Sequence, residues 1–479
     1  MIERIIDFSV RRRWLVLLIT LAAVVSGFWS LTKLPIDAVP DVTNVQVQVN
    51  AVAPALTPVE IEKQVTVALE TVLAGTPGLE STRSFSRNGF AQITAVFTDR
   101  TNIYFARQQV SERINEAKAN LPPSVDIKLG PISTGLGEIY WWAVEYAKPG
   151  AIAPVRDGQP GWQSDGTYLT PEGERLTDDF QRTVYLRTVQ DWIIRPQMKT
   201  VPGVAGADAI GGFVKQFQVQ PDPARLISFG LSLNQVIEAI EANNVSRGAN
   251  YIEQNGEGYV VRASGRVENI EDISQIVVAT RTGVPVRVKD VAEVVIGKEL
   301  RTGSASVNGR EVVLGTALML IGGNSRTVAA AADAKIKQIS RTLPPGIYAH
   351  TVLNRTQLVD ATIETVATNL AEGALLVIVV LFLLLGNLRA AVVTACVIPV
   401  TMMLTATGML QGRISANLMS LGALDFGLIV DGAVIIAENS LRHLAERQRE
   451  FGRALALDER LQTVKESAIE MIRPTVYGQ

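Results

Sequence analysis

The chain has 479 residues and a mass of 51.8 kDa, which excludes a single small folded unit. Hydrophobic residues make up 47% of the sequence, charged residues only 19%, and the mean hydropathy is +0.20, so a disordered or wholly soluble chain is excluded and membrane-spanning segments are expected. The 45 basic and 47 acidic residues leave a formal charge of -2, which excludes nucleic acid as a partner, and the single cysteine, Cys396, excludes an internal disulfide and a thiolate metal cage.

Four stretches are apolar and long enough to cross about 30 Å of hydrocarbon as helices. The first follows three arginines, residues 11–13, and offers no convincing cleavage site, so we predict a retained anchor and not a signal peptide. The other three lie close together near the end of the sequence, after a long segment of globular composition. The predicted spans are residues 14–34, 366–388, 390–411 and 414–441.

Positive charge next to the spans predicts their orientation. The arginine cluster places residues 1–13 in the cytoplasm, so the large segment between the first two spans lies outside, in the periplasm of a bacterium with two membranes. The tail, residues 442–479, carries five arginines close to the last span and returns to the cytoplasm. These are Arg442, Arg447, Arg449, Arg453 and Arg460.

The external segment begins with a pattern typical of an α+β sandwich. Alternation over residues 42–50 predicts a strand, and apolar spacing over 57–73 predicts a helix. Strands over 79–86 and 90–97 meet at Asn88 and Gly89, a hairpin signal. A helix over 102–120 and a strand over 125–129 complete the order β-α-β-β-α-β. This is the ferredoxin-like arrangement, and we assign residues 35–135 to it.

A second copy of the same arrangement is predicted for residues 136–215 and 288–355. Its expected elements are strands 138–146 and 204–209, helix 178–200, strands 303–307 and 311–320, helix 325–343 and strand 347–353. Residues 216–287 interrupt it as an inserted α+β unit with a helix over 232–243. The stretch 148–174, rich in Gly and Pro, is predicted to be a surface loop without a motif. The chain is therefore expected to be an α+β membrane protein.

The fourth span contains three carboxylates, Asp425, Asp431 and Glu438, in an otherwise apolar helix. Each costs at least about 2.5 kcal/mol near the bilayer centre if ionised, so such acids commonly mark proton or ion pathways. At 100° per residue Asp431 and Glu438 lie within about 20° of each other and about 10 Å apart, whereas Asp425 is rotated by about 120°. This geometry favours a proton relay, although Asp425 and Glu438 remain open to a simple role at the membrane interface.

These features resemble the resistance-nodulation-division (RND) transporters, and within them the heavy-metal efflux branch of the cobalt-zinc-cadmium type. The resemblance rests on the fourth-span pattern Asp425-Phe-Gly-x3-Asp431-Gly-Ala-Val-x3-Glu438-Asn439 and on the opening Ile36-Asp37-Ala38-Val39-Pro40-Asp41-Val42. Two further motifs carry it, Gly135-Leu-Gly-Glu138-Ile-Tyr140 and Leu186-Arg-Thr-Val-Gln190-Asp191-Trp192.

The resemblance implies a proton antiporter of the bacterial inner membrane, and not an enzyme. It implies a homotrimer that works with a periplasmic adaptor protein and an outer-membrane channel. The two sandwiches would be porter subdomains, and the insertion would be a docking subdomain. Glu138 and Asp191 would be ligands of the transported ion, with a strand-end salt bridge or a helix cap as the open alternative. No cofactor is expected, because the metal would be cargo.

The family would continue beyond residue 479 into a fifth span and a second half, so the sequence is expected to be an N-terminal part. That second half would supply the lysine that opposes the membrane acids. No lysine occurs between Lys337 and Lys465, and the cation expected to face Asp431 is therefore missing from the sequence.

The ligand types in the external segment favour divalent ions. Copper(I) and silver(I) prefer thioethers, whereas zinc, cobalt, cadmium and nickel accept carboxylate and imidazole. The segment holds only Met198 and Met319, no cysteine, and one histidine, His350, which we interpret as a surface or packing residue. The alternatives are export of organic compounds and a non-transporting fragment of a split or truncated gene. An intramembrane aspartyl protease is excluded because Asp425 and Asp431, on one helix, cannot share a proton.

Overall fold

The computed structural model describes residues 2–34, 37, 41–54, 56–263, 265–281, 283–299, 301, 303–385, 388–412, 414–416 and 426–478. The chain opens with two helices, α1 (Ile2–Arg11) and α2 (Arg13–Lys33), separated at Arg12, whose backbone leaves the helical region at φ -110°. Helix α2 covers the first predicted span.

The first sandwich follows in the predicted order. Strand β1 (Val45–Val52) precedes helix α3 (Pro58–Ile61, a π-helical turn Glu62–Thr66, then Val67–Leu73), strands β2 (Leu79–Arg87) and β3 (Phe90–Phe97), helix α4 (Ile103–Ala117) and strand β4 (Asp126–Leu129). The sheet is antiparallel with the order β2-β3-β1-β4, as the ferredoxin-like prediction requires.

Local sequence signals explain where these elements begin and turn. Thr57 caps α3 in a reciprocal capping box with Glu60, and Asn102 caps α4. The predicted hairpin turn between β2 and β3 is confirmed, with Gly89 at φ +71°. One face of the sheet packs on both helices. The core between them includes Val49 and Ile93 from the sheet, Leu69 from α3 and Val110 from α4.

The second sandwich opens with strand β5 (Glu138–Tyr146). Three two-residue strands then form a small sheet: β6 (Gly161–Trp162), β7 (Tyr168–Leu169) and β8 (Arg175–Leu176). Helix α5 (Asp179–Val189, a π-helical turn Gln190–Ile194, then Arg195–Met198) and strand β9 (Val204–Ile210) complete this half.

The prediction of a plain surface loop over 148–174 is wrong. Tyr168 is fully buried, and its hydroxyl donates to the Pro345 carbonyl at 3.0 Å. Trp162 donates from Nε1 to the Ala147 carbonyl at 2.9 Å, and its ring lies edge-on to that of Tyr168. These aromatic side chains close one end of the second core, which Gly and Pro content alone did not reveal.

The insertion contains β10 (Lys215–Pro221), α6 (Pro223–Phe229), α7 (Leu233–Asn243), β11 (Arg247–Gln254), β12 (Glu257–Ala263), α8 (Ile270–Ser274), β13 (Val277–Arg281), β14 (Val284–Arg287), α9 (Val288–Val291) and β15 (Ala292–Lys298). Strand β10 pairs antiparallel with β15. The insertion therefore extends beyond its predicted end at residue 287. It includes β15, because β15 is the pairing partner of β10, the first strand of the insertion.

The chain then returns to the second sandwich through β16 (Ala305–Val307), β17 (Arg310–Met319), α10 (Ser325–Ser340) and β18 (Ile347–Asn354). Strand β17 pairs with β5 on one side and with β9 and β16 on the other, and β18 pairs with β5. The order β9-β17-β5-β18 repeats the order of the first sheet, which supports an internal duplication.

Strand β18 leads directly into the long helix α11 (Arg355–Leu385), and α12 (Leu388–Ala395), α13 (Val397–Gln411), α14 (Phe426–Phe451) and α15 (Leu457–Gly478) follow. By length and composition, three described helical stretches could cross a membrane: Arg13–Lys33, Arg355–Val380 and Leu388–Gln411. Residues 417–425 of the predicted fourth span lie outside the described residues. Helices α2 and α13 touch so closely that a Cβ at Gly27 would overlap Met403.

Candidate functional site

Helix α14 carries two of the three predicted proton-relay positions. Asp425 lies outside the described residues, as does the side chain of Asp431, whereas Glu438 is exposed on the helix. Val434, between positions 431 and 438, packs with Ala374 and Met402 around a small apolar cluster formed by Ala391 and Ile398. Position 431 is therefore on a helix that contacts the second and third predicted spans.

A polar seam joins the second half of α14 to α15. Asn439 is almost fully buried, and its Nδ2 donates to the Ser467 carbonyl at 3.1 Å and to Glu470 Oε2 at 3.3 Å. Its Oδ1 accepts from Arg442 at 2.9 Å. The hydroxyls of Ser440 and Ser467 lie 2.8 Å apart. Because a buried polar group is costly without partners, this network fixes the register of the two helices.

Charged groups continue the seam away from the predicted span. His443 Nε2 lies 3.1 Å from Glu470 Oε2, although without hydrogen-bond alignment, and Arg447 donates to Glu466 at 2.6 Å and to Thr463 at 3.0 Å. The hairpin of α14 and α15 thus brings imidazole, guanidinium and carboxylate groups together beyond the predicted span.

Arg355 joins several distant parts of the chain at the N-terminal end of α11. Its guanidinium contacts the Asp37 carboxylate at 3.0 Å and donates to the Leu136 carbonyl at 2.7 Å. The backbone N–H of Asp37 donates to the carbonyl of Ala416, which follows α13. The segment after α2, the segment before β5, the start of α11 and the segment after α13 therefore meet at one ion pair.

Asp41, in the same opening motif as Asp37, anchors the entry to the first sandwich. Its carboxylate accepts from the Thr134 hydroxyl at 2.6 Å and from the Thr43 backbone N–H at 3.1 Å. Burial acts to raise the pKa of Asp41, but these hydrogen bonds outweigh it and lower the pKa below the usual value. Asp41 therefore remains an anion at neutral pH.

A second link connects α10 of the second sandwich to α11. Arg326 contacts Asp360 at 2.7 Å, and the Thr356 hydroxyl donates to the Arg326 carbonyl at 3.2 Å. Both charged side chains are about half exposed, so the ion pair itself contributes little stability. The pair nevertheless gives helix α11 a second contact with the sandwich, in addition to its covalent connection to β18.

The predicted metal ligand Asp191 lies in the π-helical turn of α5, with its side chain 18% exposed. It contacts Arg187 at 2.7 Å and Arg195 at 3.7 Å, so two guanidinium groups compensate its charge. This arrangement matches the salt-bridge alternative for Asp191. Its Oδ1 has no hydrogen-bond partner within the described structure.

The other predicted ligand, Glu138, is exposed at the start of β5 and pairs through its backbone with Leu318. Gln190, next to Asp191, accepts a hydrogen bond from Trp142 Nε1 at 2.8 Å. Glu138 lies four positions, or about 13 Å, before Trp142 along β5. The described residues contain no cluster of three or more His, Cys, Asp or Glu side chains that could hold a metal ion, so Glu138 and Asp191 are not part of a preformed site of that kind.

Sequence reasoning assigned no role to Arg355 or to Asn439. Arg355 could have been noticed as a basic residue just before a long apolar stretch, and Asn439 as the polar end of the fourth-span motif. No sequence signal revealed the carbonyls of Leu136 and Ser467 as partners, because backbone groups carry no sequence information. The side-chain partners Asp37 and Glu470 are distant in sequence from Arg355 and Asn439 and are brought to them only by the fold.

Known proteins resemble the chain over its whole length. It is 58% identical over 480 residues to the nickel and cobalt resistance protein CnrA of Cupriavidus metallidurans, covering 100% of this chain and 45% of CnrA. It is 53% identical over 479 residues to the cobalt-zinc-cadmium resistance protein CzcA of the same organism, covering 100% of this chain and 43% of CzcA. The cation efflux system protein CusA of Escherichia coli strain K12 is 36% identical, with 98% of this chain and 43% of CusA covered.

The chain thus spans less than half of the length of these relatives. Its fold is similar to a crystal structure described as a heavy metal efflux pump, with a TM-score of 0.79 and 31% identity, covering 99% of this chain and 43% of that chain. A family model described as the AcrB/AcrD/AcrF family matches residues 5–479, so the RND membership predicted from the motifs is confirmed and the chain belongs to the AcrB/AcrD/AcrF family.

Proposed function

We propose that the chain is part of an RND subunit of the bacterial inner membrane that exports divalent heavy-metal cations in exchange for protons. The observation that carries this proposal is the 58% and 53% identity, over the whole chain, to proteins named for nickel, cobalt, zinc and cadmium resistance. The scarcity of sulfur ligands in the external segment favours divalent ions over copper(I) and silver(I).

Proton coupling is assigned to Asp425, Asp431 and Glu438. Asp431 is the central carrier in this proposal, because an acid within an apolar helix can alternate between its neutral and charged forms as its surroundings change. The packing of Val434 against neighbouring helices supports a buried environment for that part of α14. The exposure of Glu438 supports a role at the cytoplasmic mouth of the pathway.

Metal binding is assigned to Glu138 and Asp191. Glu138 can bind an ion as it stands, whereas Asp191 must first lose its arginine contacts. Glu138 is exposed and forms no ion pair among the described residues, so it can act as an entry ligand. Asp191 becomes a ligand only when Arg187 and Arg195 move away from its carboxylate. Glu138→Gln should therefore weaken metal capture directly, whereas Arg187→Gln should strengthen metal binding at Asp191.

The proposed assembly is a homotrimer joined to a periplasmic adaptor protein and an outer-membrane channel. In this arrangement the two sandwiches form the porter region, and the insertion from β10 to β15 forms the docking region. The exposed apolar side chains Ile227, Phe229 and Leu233 on the insertion support a contact with another protein there.

The test is expression of the complete pump with its adaptor and channel in a metal-sensitive bacterium. Tolerance should rise for nickel, cobalt, zinc or cadmium, and Asp431→Asn should remove the gain without lowering the amount of protein in the membrane. Protection against copper or silver alone would contradict the metal class. Protection against dyes and detergents without metal tolerance would favour the alternative, export of organic compounds.

A further inference from the structure

A cleft of about 620 Å³, the size of a small-ligand site, lies where α1, α2 and α15 meet. Four basic side chains line it, namely Arg11, Arg12, Arg13 and Lys465, together with the acids Asp7 and Asp458. Trp14, Leu15 and Leu461 supply apolar wall. None of these residues belongs to the proton or metal sites assigned above.

The cleft has an excess of positive charge. Asp7 contacts Arg11 at 3.0 Å and also pairs with Lys465, so one carboxylate is shared between two basic side chains. Within the described part of the chain, neither Arg12 nor Arg13 has a carboxylate partner. Four cations against two carboxylates leave a formal charge of +2, which suits an anion.

The neighbouring surfaces place the cleft at the level of the lipid headgroups. Arg13 is the first residue of the predicted span α2, and Trp14 is 76% exposed, as expected for an aromatic side chain at the membrane interface. Helix α1 is amphipathic and leaves Ile5 and Phe8 exposed, which is typical of a helix that lies along the membrane surface.

The wall below the cleft is apolar. Leu15 and Leu18 are exposed along the first turns of α2, directly on the membrane side of the arginine cluster. A soluble anion would use only the charges, whereas a molecule with a phosphate and acyl chains would use both surfaces. The basic cleft and the apolar surface next to it therefore favour an amphiphilic anion.

We propose that this cleft binds an acidic phospholipid of the cytoplasmic leaflet. Its phosphate lies among Arg12, Arg13 and Lys465, and its acyl chains follow Leu15 and Leu18 along α2. The bound lipid bridges α1 and α15, two helices that otherwise meet through the Asp7 pair with Lys465. This site is independent of metal transport.

The experiment is native mass spectrometry of the purified protein released from nanodiscs of phosphatidylethanolamine with or without phosphatidylglycerol. Wild-type protein should retain phosphatidylglycerol in preference to phosphatidylethanolamine. Lys465→Gln should reduce the retained phosphatidylglycerol about fivefold, the effect of one basic side chain near an anionic surface. Asp7→Asn should increase retention, because it raises the charge of the cleft.

Opposite effects of Lys465→Gln and Asp7→Asn distinguish a lipid site from a structural ion pair, since loss of a structural pair would weaken retention in both. Arg449→Gln removes a basic side chain of the same helical hairpin outside the cleft and should change nothing. If Lys465→Gln does not fold, Arg12→Gln provides the same test while Arg11 and Arg13 remain.

Two results would overturn the proposal. One is equal retention of both lipids by wild-type protein. The other is displacement of phosphatidylglycerol by millimolar glycerol phosphate, which would make the cleft a site for soluble anions. Circular dichroism should show the same helix content for every variant compared.

Discussion

The guanidinium of Arg355 lies 3.0 Å from the carboxylate of Asp37, and this ion pair ties the start of α11 to the segment that follows α2. The Arg355 side chain is only 10% exposed and that of Asp37 21%. Water therefore screens the pair weakly, and loss of one partner leaves a charge with little hydration.

Arg355→Gln should lower the free energy of unfolding by about 2–3 kcal/mol, because it removes a largely buried guanidinium that contacts the Asp37 carboxylate and donates to the Leu136 carbonyl. Arg326→Gln is the matched control, since the Arg326 pair with Asp360 is about half exposed on both sides and should cost less than about 1 kcal/mol. Thermal unfolding in detergent checks both values. Equal losses in the two variants would show that burial does not set the strength of these pairs.

Asp431→Asn should lower metal-driven proton flux by at least about 100-fold in proteoliposomes of the complete pump, because the amide keeps the shape but cannot carry the proton. Glu438→Gln should have a smaller effect, since Glu438 is exposed and water can replace it as a proton acceptor. If Asp431→Asn retains proton-coupled flux, Asp431 is not the carrier.

Asn439→Ala should destabilise the hairpin of α14 and α15 by about 1–3 kcal/mol, because it removes the buried donor to Ser467 and the acceptor of Arg442. Hydrogen exchange of the α15 amides reports the local loss. Faster exchange in α15 with unchanged exchange in β1 and β3 is the expected pattern. A uniform change over the whole protein would instead point to a global effect.

Gly315→Ala should destabilise the second sandwich by about 1–3 kcal/mol, because a Cβ at this position would overlap the indole of Trp142. Gly135→Ala is the control, since no atom lies within 4 Å of a Cβ built there. Denaturant unfolding followed by tryptophan fluorescence measures both. A Gly315→Ala variant as stable as Gly135→Ala would mean that the Trp142 ring can move aside.

The surroundings of Asp333 predict that the stability of the second sandwich depends on pH. Its carboxylate accepts from Tyr140 at 2.9 Å and from Thr351 at 3.0 Å and contacts Lys337 at 2.6 Å. Burial acts to raise the pKa of Asp333, but these three partners outweigh it and hold the pKa below its usual value of 3.8. The folded chain thus binds this proton less tightly than the unfolded chain.

The resulting stabilisation is complete above about pH 4 and is lost as the pH falls through the folded-state pKa. Asp333→Asn should therefore be less stable than wild type near neutral pH, and the difference should narrow below about pH 4. Asp179→Asn, which alters a carboxylate that is 96% exposed, should show no such convergence. Unfolding followed by tryptophan fluorescence at several pH values measures the three proteins.

Much of the fold was predictable because its signals are local. Alternation over residues 42–50 predicted β1, found at Val45–Val52, and Asn88-Gly89 predicted the hairpin that follows. The two π-helical turns, Glu62–Thr66 and Gln190–Ile194, were not predicted. They depend on how each helix packs against its sheet, and a helical apolar pattern does not distinguish a π turn from an α turn.

The candidate site was less accessible to sequence reasoning. The acids of α14 stand out because charge in an apolar stretch is costly, a property of the sequence itself. The motif marks Asp191 only as a carboxylate, whereas its two arginine partners, Arg187 and Arg195, lie four residues before and after it on one helix face. The contact of Arg355 with Asp37 joins positions 318 residues apart and follows only from the tertiary fold.

Helix α11 runs without interruption for 31 residues, about 46 Å, and begins at the residue after β18. A rod of this length that is joined directly to a sheet acts as a lever. If the second sandwich tilts by about 10° and α11 follows as a rigid body, the far end of the helix moves by about 8 Å. A small rotation of the sandwich thus becomes a displacement of the far helix end that is comparable to the distance between packed helices.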